Sequence, residues 1–200
     1  MVKSALLNKL RSSLERFFQR VALVVAKTGV SANQLTILSL IIALLGYTLI
    51  LIYGSPVILL GTIMTTGFLD AIDGAVARLK GQASQRGAFL DSLVDRLCEM
   101  IYALAFLKLG LDVYAVLIYL GFSMIISYER ARGESLGISM IGVGLMERGE
   151  RLLGLMLVTT LFLFDPGVAN IALIVLASLA AFTVVERAVY VWRNLELGRG

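Results

Sequence analysis

The chain has 200 residues, of which 58% are hydrophobic and only 16% are charged. An ordinary soluble domain has about 25% charged residues, so the composition excludes a soluble enzyme, a disordered regulator and a disulfide scaffold. It indicates a single integral membrane domain, in keeping with a mean hydropathy of +0.88. The net charge of +4 is more typical of anchoring to anionic lipid than of nucleic-acid binding, and no nucleic-acid partner is expected.

The chain contains no His and a single Cys, Cys98. A His-ligated zinc centre, a cysteine metal cluster and an intrachain disulfide are therefore excluded. Any proton transfer in a reaction must use Asp, Glu, Lys, Tyr or water.

Residues 1–30 have apolar residues at helical spacing, with Lys and Arg covering most of the opposite face. This pattern predicts an amphipathic helix that lies in the membrane interface, next to the membrane domain. The alternative is a weak first membrane span over 18–30. The apolar residues of the pattern are Leu6, Leu7, Leu10, Leu14, Phe17, Phe18 and Val21.

Six membrane-spanning helices are predicted over 31–194, followed by a C-terminal tail over 195–200. Ser31 and Gln34 have the spacing of a capping box at the start of the first helix. The charge-free stretch 35–53 would be about 28 Å long at ~1.5 Å per residue, which is enough to cross a bilayer. The remaining predicted helices cover 56–79, 85–107, 113–132, 147–164 and 168–191.

The Lys and Arg residues indicate how these six helices are oriented. Six spans place both termini and the loops after the second and fourth helices on one side. That side receives every one of the 18 Lys and Arg residues except Lys108. The positive-inside rule therefore predicts a multi-pass protein of the cell membrane with both termini in the cytoplasm.

Four carboxylates interrupt the second and third predicted helices: Asp70, Asp73, Asp91 and Asp95. Each costs on the order of 2.5–3.5 kcal/mol at the centre of a span, so the group needs a strong partner. The spacings i, i+3 and i, i+4 place each pair on one helix face. Both pairs lie at similar distances from the turn near residue 82, which predicts that they converge. Carboxylates without His or Cys favour Mg²⁺ or Mn²⁺, and two ions about 3.5–4 Å apart could share the cluster.

Two other interpretations of these acids stay open. One carboxylate could form a structural ion pair with Arg78 or Arg96, and acids within a membrane also mark cation or proton transport pathways. The residues between the acids favour a diphosphate ligand instead. Gly74, Ala77 and Gly87 are small enough to let a bulky ligand approach the backbone, and Arg78 can bind an anion.

These residues form a longer pattern, Asp70-x-x-Asp73-Gly74-x-x-Ala77-Arg78, then eight residues, then Gly87-x-x-x-Asp91-x-x-x-Asp95. The pattern resembles the complete signature of the CDP-alcohol phosphotransferase family. The resemblance implies a six-helix membrane enzyme that works as a homodimer. It implies transfer of a phospho-alcohol from a CDP-alcohol to an acceptor hydroxyl, with release of CMP.

The resemblance also implies roles for individual residues. Asp70, Asp73 and Asp91 would be metal ligands, and Asp95 would be both a metal ligand and the general base. The segment from Ser31 to Thr36 resembles the family's Pro-Asn-x-x-Thr element, with Ala32 in place of Pro. The residues that would hold the cytidine diphosphate are Asn33, Thr36, Gly74, Ala77, Arg78 and Gly87.

A second cluster of charged residues lies in segments 127–134 and 144–151. The Arg side chains suit a phosphate on the acceptor, while the alternative is ordinary positive-inside charge paired with neighbouring Glu residues. Both segments resemble the branch of the family that uses inositol phosphate, except that Gly133 stands where that branch has Ala. The residues that would bind the acceptor phosphate are Arg130, Arg148 and Arg151, with Arg132 and Arg187 as further candidates.

The expected reaction moves a phosphatidyl or archaetidyl group from CDP-diacylglycerol or CDP-archaeol to inositol phosphate. The sequence leaves the ether or ester linkage of the lipid open. The alternative acceptor is glycerol 3-phosphate, and soluble CDP-inositol chemistry is a further variant. A cation or proton transporter is the alternative from a different class.

Overall fold

The computed structural model of the chain describes residues 17–81 and 84–197. For residue 197 it describes the backbone only. The part of the predicted amphipathic helix before residue 17, the turn residues 82 and 83, and the tail residues 198–200 lie outside the described residues. All regular secondary structure within the described ranges is helical, which confirms the all-α class.

The helices follow the predicted order along the chain. Helix α1 is described over residues 17–27. The predicted helix 56–79 agrees with the structure at both ends, and the predicted end at 53 and the predicted starts at 85 and 113 also agree. The other limits differ by a few residues. The six further helices are α2 Ala32–Tyr53, α3 Pro56–Leu79, α4 Gln85–Leu109, α5 Val113–Ser135, α6 Arg148–Phe162 and α7 Pro166–Leu197.

Side-chain caps define the starts of three of these helices. The Ser31 N–H donates to Gln34 Oε1 at 2.8 Å, and the Gln34 N–H donates to Ser31 Oγ at 3.3 Å. This reciprocal pair is the predicted capping box, and it satisfies amide groups that α2 itself cannot pair. Asp112 caps α5 by accepting a backbone N–H at 2.8 Å, and Asp165 caps α7 in the same way at 2.6 Å.

Helix α7 is the longest helix, with 32 residues, and it extends beyond the predicted range 168–191. Its last turns carry side-chain hydrogen bonds between residues one turn apart. Trp192 Nε1 donates to Glu196 Oε1 at 2.7 Å, and Asn194 Nδ2 donates to the Tyr190 carbonyl at 2.8 Å. Residues 195–197, placed in the tail from sequence, are therefore helical.

Among the residues that the structure describes, four helices, α2, α3, α5 and α7, are long and apolar enough to cross a membrane. Many of the large apolar side chains point outward, including Ile52 at 67% and Phe164 at 82% exposure, which lipid would cover. The chain is therefore an integral membrane protein. Helix α4 carries several charges, and α6 has 15 residues, or about 22 Å at ~1.5 Å per residue, against about 30 Å of hydrocarbon.

The chain divides into two compact units, and the first comprises Met1–Leu45 with Met64–Cys98. Its core joins α1 to α2 and α3. Ala22 of α1 is fully buried against Leu35 of α2 and Val76 of α3. Lys80 Nζ also donates to the Val30 carbonyl at 2.7 Å, which ties the end of α3 to the chain before α2. The described part of α1 therefore packs one face on protein, while Val24 on its other face is 66% exposed.

The second unit comprises Gly46–Ile63 with Glu99–Gly200. Within it α7 packs along both α5 and α6. Two glycines permit close helix contacts, because a Cβ at Gly154 would overlap the Leu176 side chain and a Cβ at Gly46 would overlap Thr62. Small residues at such crossings let helix backbones approach closely in membrane proteins.

The substitution Gly46→Ala should destabilise the protein, because the added methyl group overlaps the branched Thr62 side chain close to its Cβ. Overpacking of this kind costs about 1–3 kcal/mol. Thermal unfolding in detergent would measure it as a lower Tm. Gly61→Ala in α3 is the matched control, since its added methyl group would have no such neighbour within 4 Å. An equal loss of stability in both variants would contradict the packing argument.

Candidate active site

Three of the predicted carboxylates come together at one place in the first unit. Asp70 of α3 and Asp91 and Asp95 of α4 each offer one oxygen, and these oxygens lie within 4.8 Å of one another. Asp95 is buried, with 5% of its surface exposed, while Asp70 and Asp91 are half-buried. The i, i+4 spacing on α4 puts its two acids on one face, towards the acid of α3.

Asp73, the fourth predicted carboxylate, is not in that group of three. It is buried, and its Oδ2 accepts a hydrogen bond of 2.6 Å from the Thr36 hydroxyl of α2. A hydroxyl has one proton, and an ionised carboxylate can only accept. The resemblance implied that Thr36 contacts the nucleotide. In the structure the Thr36 hydroxyl lies within hydrogen-bond distance of Asp73 and, at 3.1 Å, of the Ala32 carbonyl, and Thr36 also lines the cleft described below.

Asp95, the predicted general base, forms an ion pair with the next residue. Arg96 Nη1 lies 3.2 Å from Asp95 Oδ2 and also donates to the Ser92 carbonyl at 2.9 Å. The Arg96 side chain is 28% exposed, against 7% for Asp95. One of the ion pairs considered from sequence is therefore present, and it contacts the Asp95 carboxylate through Oδ2.

A cleft of about 190 Å³ in the first unit is bounded by α2, α3 and the start of α4. Its wall contains every residue that the resemblance assigned to cytidine diphosphate, together with Asp73 and Asp91. Ala32, Ser84 and Ala88 also line the cleft and were not predicted. The predicted lining residues are Asn33, Thr36, Gly74, Ala77, Arg78 and Gly87.

Ser84 could have been recognised from its spacing. Its hydroxyl accepts the Gly87 N–H at 3.1 Å, which makes it the N-cap of α4. The Ser-x-x-Gly spacing places a polar cap and a small residue together at a helix start. The cleft therefore meets the N-terminus of α4, where unpaired amide groups and the helix dipole favour an anion.

The glycine at position 74 leaves space that protein atoms do not fill. A Cβ there would meet only Arg78 Nη1 within 4 Å, at 3.5 Å, which is an ordinary contact. The backbone of Gly74 does not have a positive φ either. Neither packing nor backbone conformation requires glycine at this position, so the open space beside the cleft is available to a ligand.

The five predicted acceptor-phosphate arginines occupy different surroundings in the second unit. Arg130 and Arg132 are exposed on α5, and Arg130 Nε pairs with Glu134 at 3.0 Å. Arg148 is half-buried at the first residue of α6. Exposed pairs one helical turn apart contribute little and exchange easily, so the pairing of Arg130 does not prevent it from binding a phosphate.

Arg151 and Arg187, by contrast, are 3% and 2% exposed. Arg151 Nη2 pairs with Glu99 Oε1 at 2.8 Å. Arg187 Nε and Nη1 donate to the carbonyls of Val143 and Ile126 at 2.9 and 2.8 Å. Both guanidinium groups therefore hold protein atoms. Glu99 was not singled out from sequence, although an additional acid one turn after Asp95 in an apolar helix is the kind of signal that could have found it.

The departure at Gly133 has a local explanation. A Cβ at this position would lie 2.8 Å from both Cγ and Sδ of Met140. Met140 is fully buried and belongs to the segment between α5 and α6. Glycine at 133 thus accommodates a larger side chain from that segment.

The donor set fits a hard divalent cation. Only carboxylate oxygens converge in the group formed by Asp70, Asp91 and Asp95, and the whole chain has no His. Oxygen ligands of this kind suit Mg²⁺ and Mn²⁺, whereas zinc sites use mainly nitrogen and sulfur ligands.

A helical membrane domain with an aspartate cluster beside a small-residue cleft defines a phosphotransferase class, and the family model for CDP-alcohol phosphatidyltransferase matches residues 29–185. The chain therefore belongs to the CDP-alcohol phosphatidyltransferase family and is an enzyme. It is 36% identical to the archaetidylinositol phosphate synthase of Aeropyrum pernix, over 92% of this chain and 95% of that one.

Solved structures agree with this assignment. The phosphatidylinositol phosphate synthase of Mycobacterium tuberculosis with CDP-DAG bound has a TM-score of 0.77 and 27% identity, covering 88% of this chain and 94% of that one. The same enzyme in complex with manganese and citrate has a TM-score of 0.76 and 26% identity, with 88% of each chain covered.

The substitution Thr36→Val should weaken metal binding at the aspartates while keeping the shape of the side chain. It removes the 2.6 Å hydrogen bond to Asp73 and leaves a buried carboxylate oxygen without that donor, at a cost of about 1–3 kcal/mol. We expect weaker Mn²⁺ binding by titration of the purified protein. Ser39→Ala is the matched control, because Ser39 on the same helix donates to the Thr36 carbonyl. Equal Mn²⁺ affinity in wild type and Thr36→Val would contradict the hypothesis that Thr36 orients Asp73 for metal binding.

Proposed function

We propose that this protein transfers a phosphatidyl or archaetidyl group from a CDP-lipid to inositol phosphate, releasing CMP, with Mg²⁺ or Mn²⁺ as cofactor. The observation that carries the proposal is the group of three carboxylates on α3 and α4, whose Asp91 also lines the cleft. Relatives named for inositol phosphate products support the choice of acceptor. CDP-diacylglycerol and CDP-archaeol both fit as donors.

The residues of the first unit suit the donor's diphosphate. Asp70, Asp91 and Asp95 would hold the cation, and Asp73 would hold a second one, since it lies on the same cleft outside the group of three. When bound there, the cations offset the negative charge of the diphosphate. Arg78, exposed at the cleft, would bind a phosphate oxygen. The open space at Gly74 leaves room for the nucleotide, and Gly87 lines the same cleft.

The transfer requires one proton to move. The acceptor hydroxyl oxygen forms a bond to the phosphorus distal to cytidine, and the bond from that phosphorus to the bridging oxygen breaks as CMP leaves. The hydroxyl proton passes to a carboxylate, because the chain has no His. We assign this role to Asp95, whose orientation the Arg96 ion pair supports.

For the acceptor phosphate we propose Arg148 with Arg130 and Arg132, on the grounds that these three are more exposed than Arg151 and Arg187. Arginine binds phosphate through paired N–H groups. Arg151 and Arg187 then support the site by holding backbone carbonyls.

We also propose a membrane topology and an oligomeric state for the chain. We infer six membrane-spanning helices, with α4 and α6 joining the four apolar ones, and an interfacial location for α1 before the membrane domain 31–194. The charge of α4 is compatible with a span because its acids pair or face protein. The distribution of Lys and Arg supports a cell-membrane protein with termini and active site on the cytoplasmic side. The family resemblance supports a homodimer.

The substitution Asp91→Asn should abolish turnover and leave the protein folded, since it removes one carboxylate charge at nearly constant volume. CMP release with CDP-lipid, inositol phosphate and Mn²⁺ would measure this. Asp165→Asn is the control, because Asn caps a helix about as well as Asp and Asp165 caps α7. Wild-type rates in Asp91→Asn would refute the assigned metal site.

The substitution Arg148→Ala should raise the KM for inositol phosphate by about 10-fold or more, as expected for a lost charge-assisted hydrogen bond of about 1.5–3 kcal/mol. The KM for the CDP-lipid should stay within about twofold of wild type by the same reasoning. Arg193→Ala, an exposed position on α7, controls for loss of positive charge. Equal increases of both KM values would remove Arg148 from the acceptor site. Turnover with glycerol 3-phosphate alone would replace the proposed acceptor.

A further inference from the structure

The second unit contains a buried ion pair that the proposed chemistry does not use. Glu99 Oε1 lies 2.8 Å from Arg151 Nη2, with side chains 3% and 4% exposed. The second oxygen, Oε2, accepts a 2.6 Å hydrogen bond from Ser123. Apolar residues of similar volume can often replace a buried ion pair without loss of stability, whereas removing one partner is strongly destabilising. Stability alone therefore does not explain why the pair is present.

Arg151 extends this pair to the segment before α6. Its Nη1 donates to the Met146 carbonyl at 3.2 Å, and its Nη2 also lies 3.4 Å from Ser127 Oγ. The Met146 N–H donates to Thr183 Oγ1 at 3.1 Å. The peptide groups on both sides of Met146 are thus held by buried side chains from two helices.

Met146 lies two residues before Arg148, at the point where the irregular segment between α5 and α6 becomes helical. The segment is held at a second place by the Glu147 carboxylate, which accepts the Gly142 N–H at 2.8 Å. It is held at a third place by Arg187, which binds the Val143 carbonyl. The backbone position of Arg148 therefore depends on buried polar contacts.

We propose that Glu99 is a positioning residue for acceptor binding: by fixing Arg151 it fixes the Met146 carbonyl, and so places Arg148 to bind the acceptor phosphate. The inference rests on the proposed function, because it takes Arg148 as the phosphate contact. Glu99 touches neither substrate, and its effect passes through Arg151 and the segment before α6. Small displacements of a binding group reduce binding and rate steeply.

The test is Glu99→Gln, which removes the charge at constant shape and leaves Arg151 in place. We expect the KM for inositol phosphate to rise about tenfold, with the KM for the CDP-lipid within about twofold of wild type. Backbone hydrogen exchange over residues 138–147 should accelerate. Leu173→Ala is the control, since a cavity at this fully buried residue of α7 lowers the Tm. It should leave the acceptor KM unchanged.

A second variant decides the question if Glu99→Gln does not fold. Glu99→Met combined with Arg151→Met replaces both charges by apolar side chains, which restores stability in other buried pairs. A raised acceptor KM in this stable variant supports positioning, and a wild-type acceptor KM overturns it. Equal effects on both substrates in Glu99→Gln also overturn it. Absence of wild-type turnover with inositol phosphate overturns the proposed function, and this inference with it. Wild-type turnover with an unaffected Glu99→Gln overturns this inference alone.

Discussion

The cost of placing carboxylates in apolar membrane helices is the constraint on which the candidate site depends. An aspartate at the centre of a span must find a partner within the protein. Each acid that the structure shows in detail has one: Asp73 accepts from Thr36, and Asp95 pairs with Arg96. A shared cation would offset the repulsion between the three carboxylate oxygens within 4.8 Å of one another, because like charges at that distance repel. A bound cation would therefore also stabilise the packing of α3 against α4.

Small residues in the cleft leave space beside the carboxylates that protein atoms do not fill. Gly74 has neither a packing contact nor a backbone conformation that requires glycine. Gly87 sits in the first turn of α4, where its N–H donates to the capping residue Ser84 and the helix dipole favours an anion. A diphosphate needs both conditions, a cation to offset its charge and donors that can approach its oxygens. The cleft provides the donors, and the aspartates provide the ligands for the cation.

In the second unit, buried charged side chains bind backbone carbonyl groups. Arg151 and Arg187 are nearly inaccessible, yet Arg151 holds the Met146 carbonyl, and Arg187 holds the carbonyls of Val143 and of Ile126 within α5. Irregular backbone near a membrane must have its polar groups satisfied within the protein. Buried guanidinium groups, each with five donors, are well suited to this. The five arginines predicted for the acceptor phosphate thus differ in burial. Arg130 and Arg132 are exposed and Arg148 is half-buried, while Arg151 and Arg187 are buried.

The sequence by itself determined the order of the helices, the cap of α2 and the faces on which the acids lie. Helix limits follow from apolar length and turn residues, and the Ser31–Gln34 cap follows from a spacing of three residues. These are local relations along one chain segment, so the pattern contains them. The signature from Asp70 to Asp95 likewise predicted the family, which the match over residues 29–185 confirmed.

Only the tertiary structure decided which partners these side chains have. Asp73 is bound by a threonine 37 residues away, and Arg151 by a glutamate 52 residues away. The choice depends on how helices pack, because residues distant in sequence meet only when the chain is folded. For that reason the sequence placed Arg151 and Arg187 with the anion-binding arginines and did not single out Glu99. The near-complete burial of Arg151 and Arg187 depends on the neighbours that surround them in the fold, and residue spacing does not contain that information.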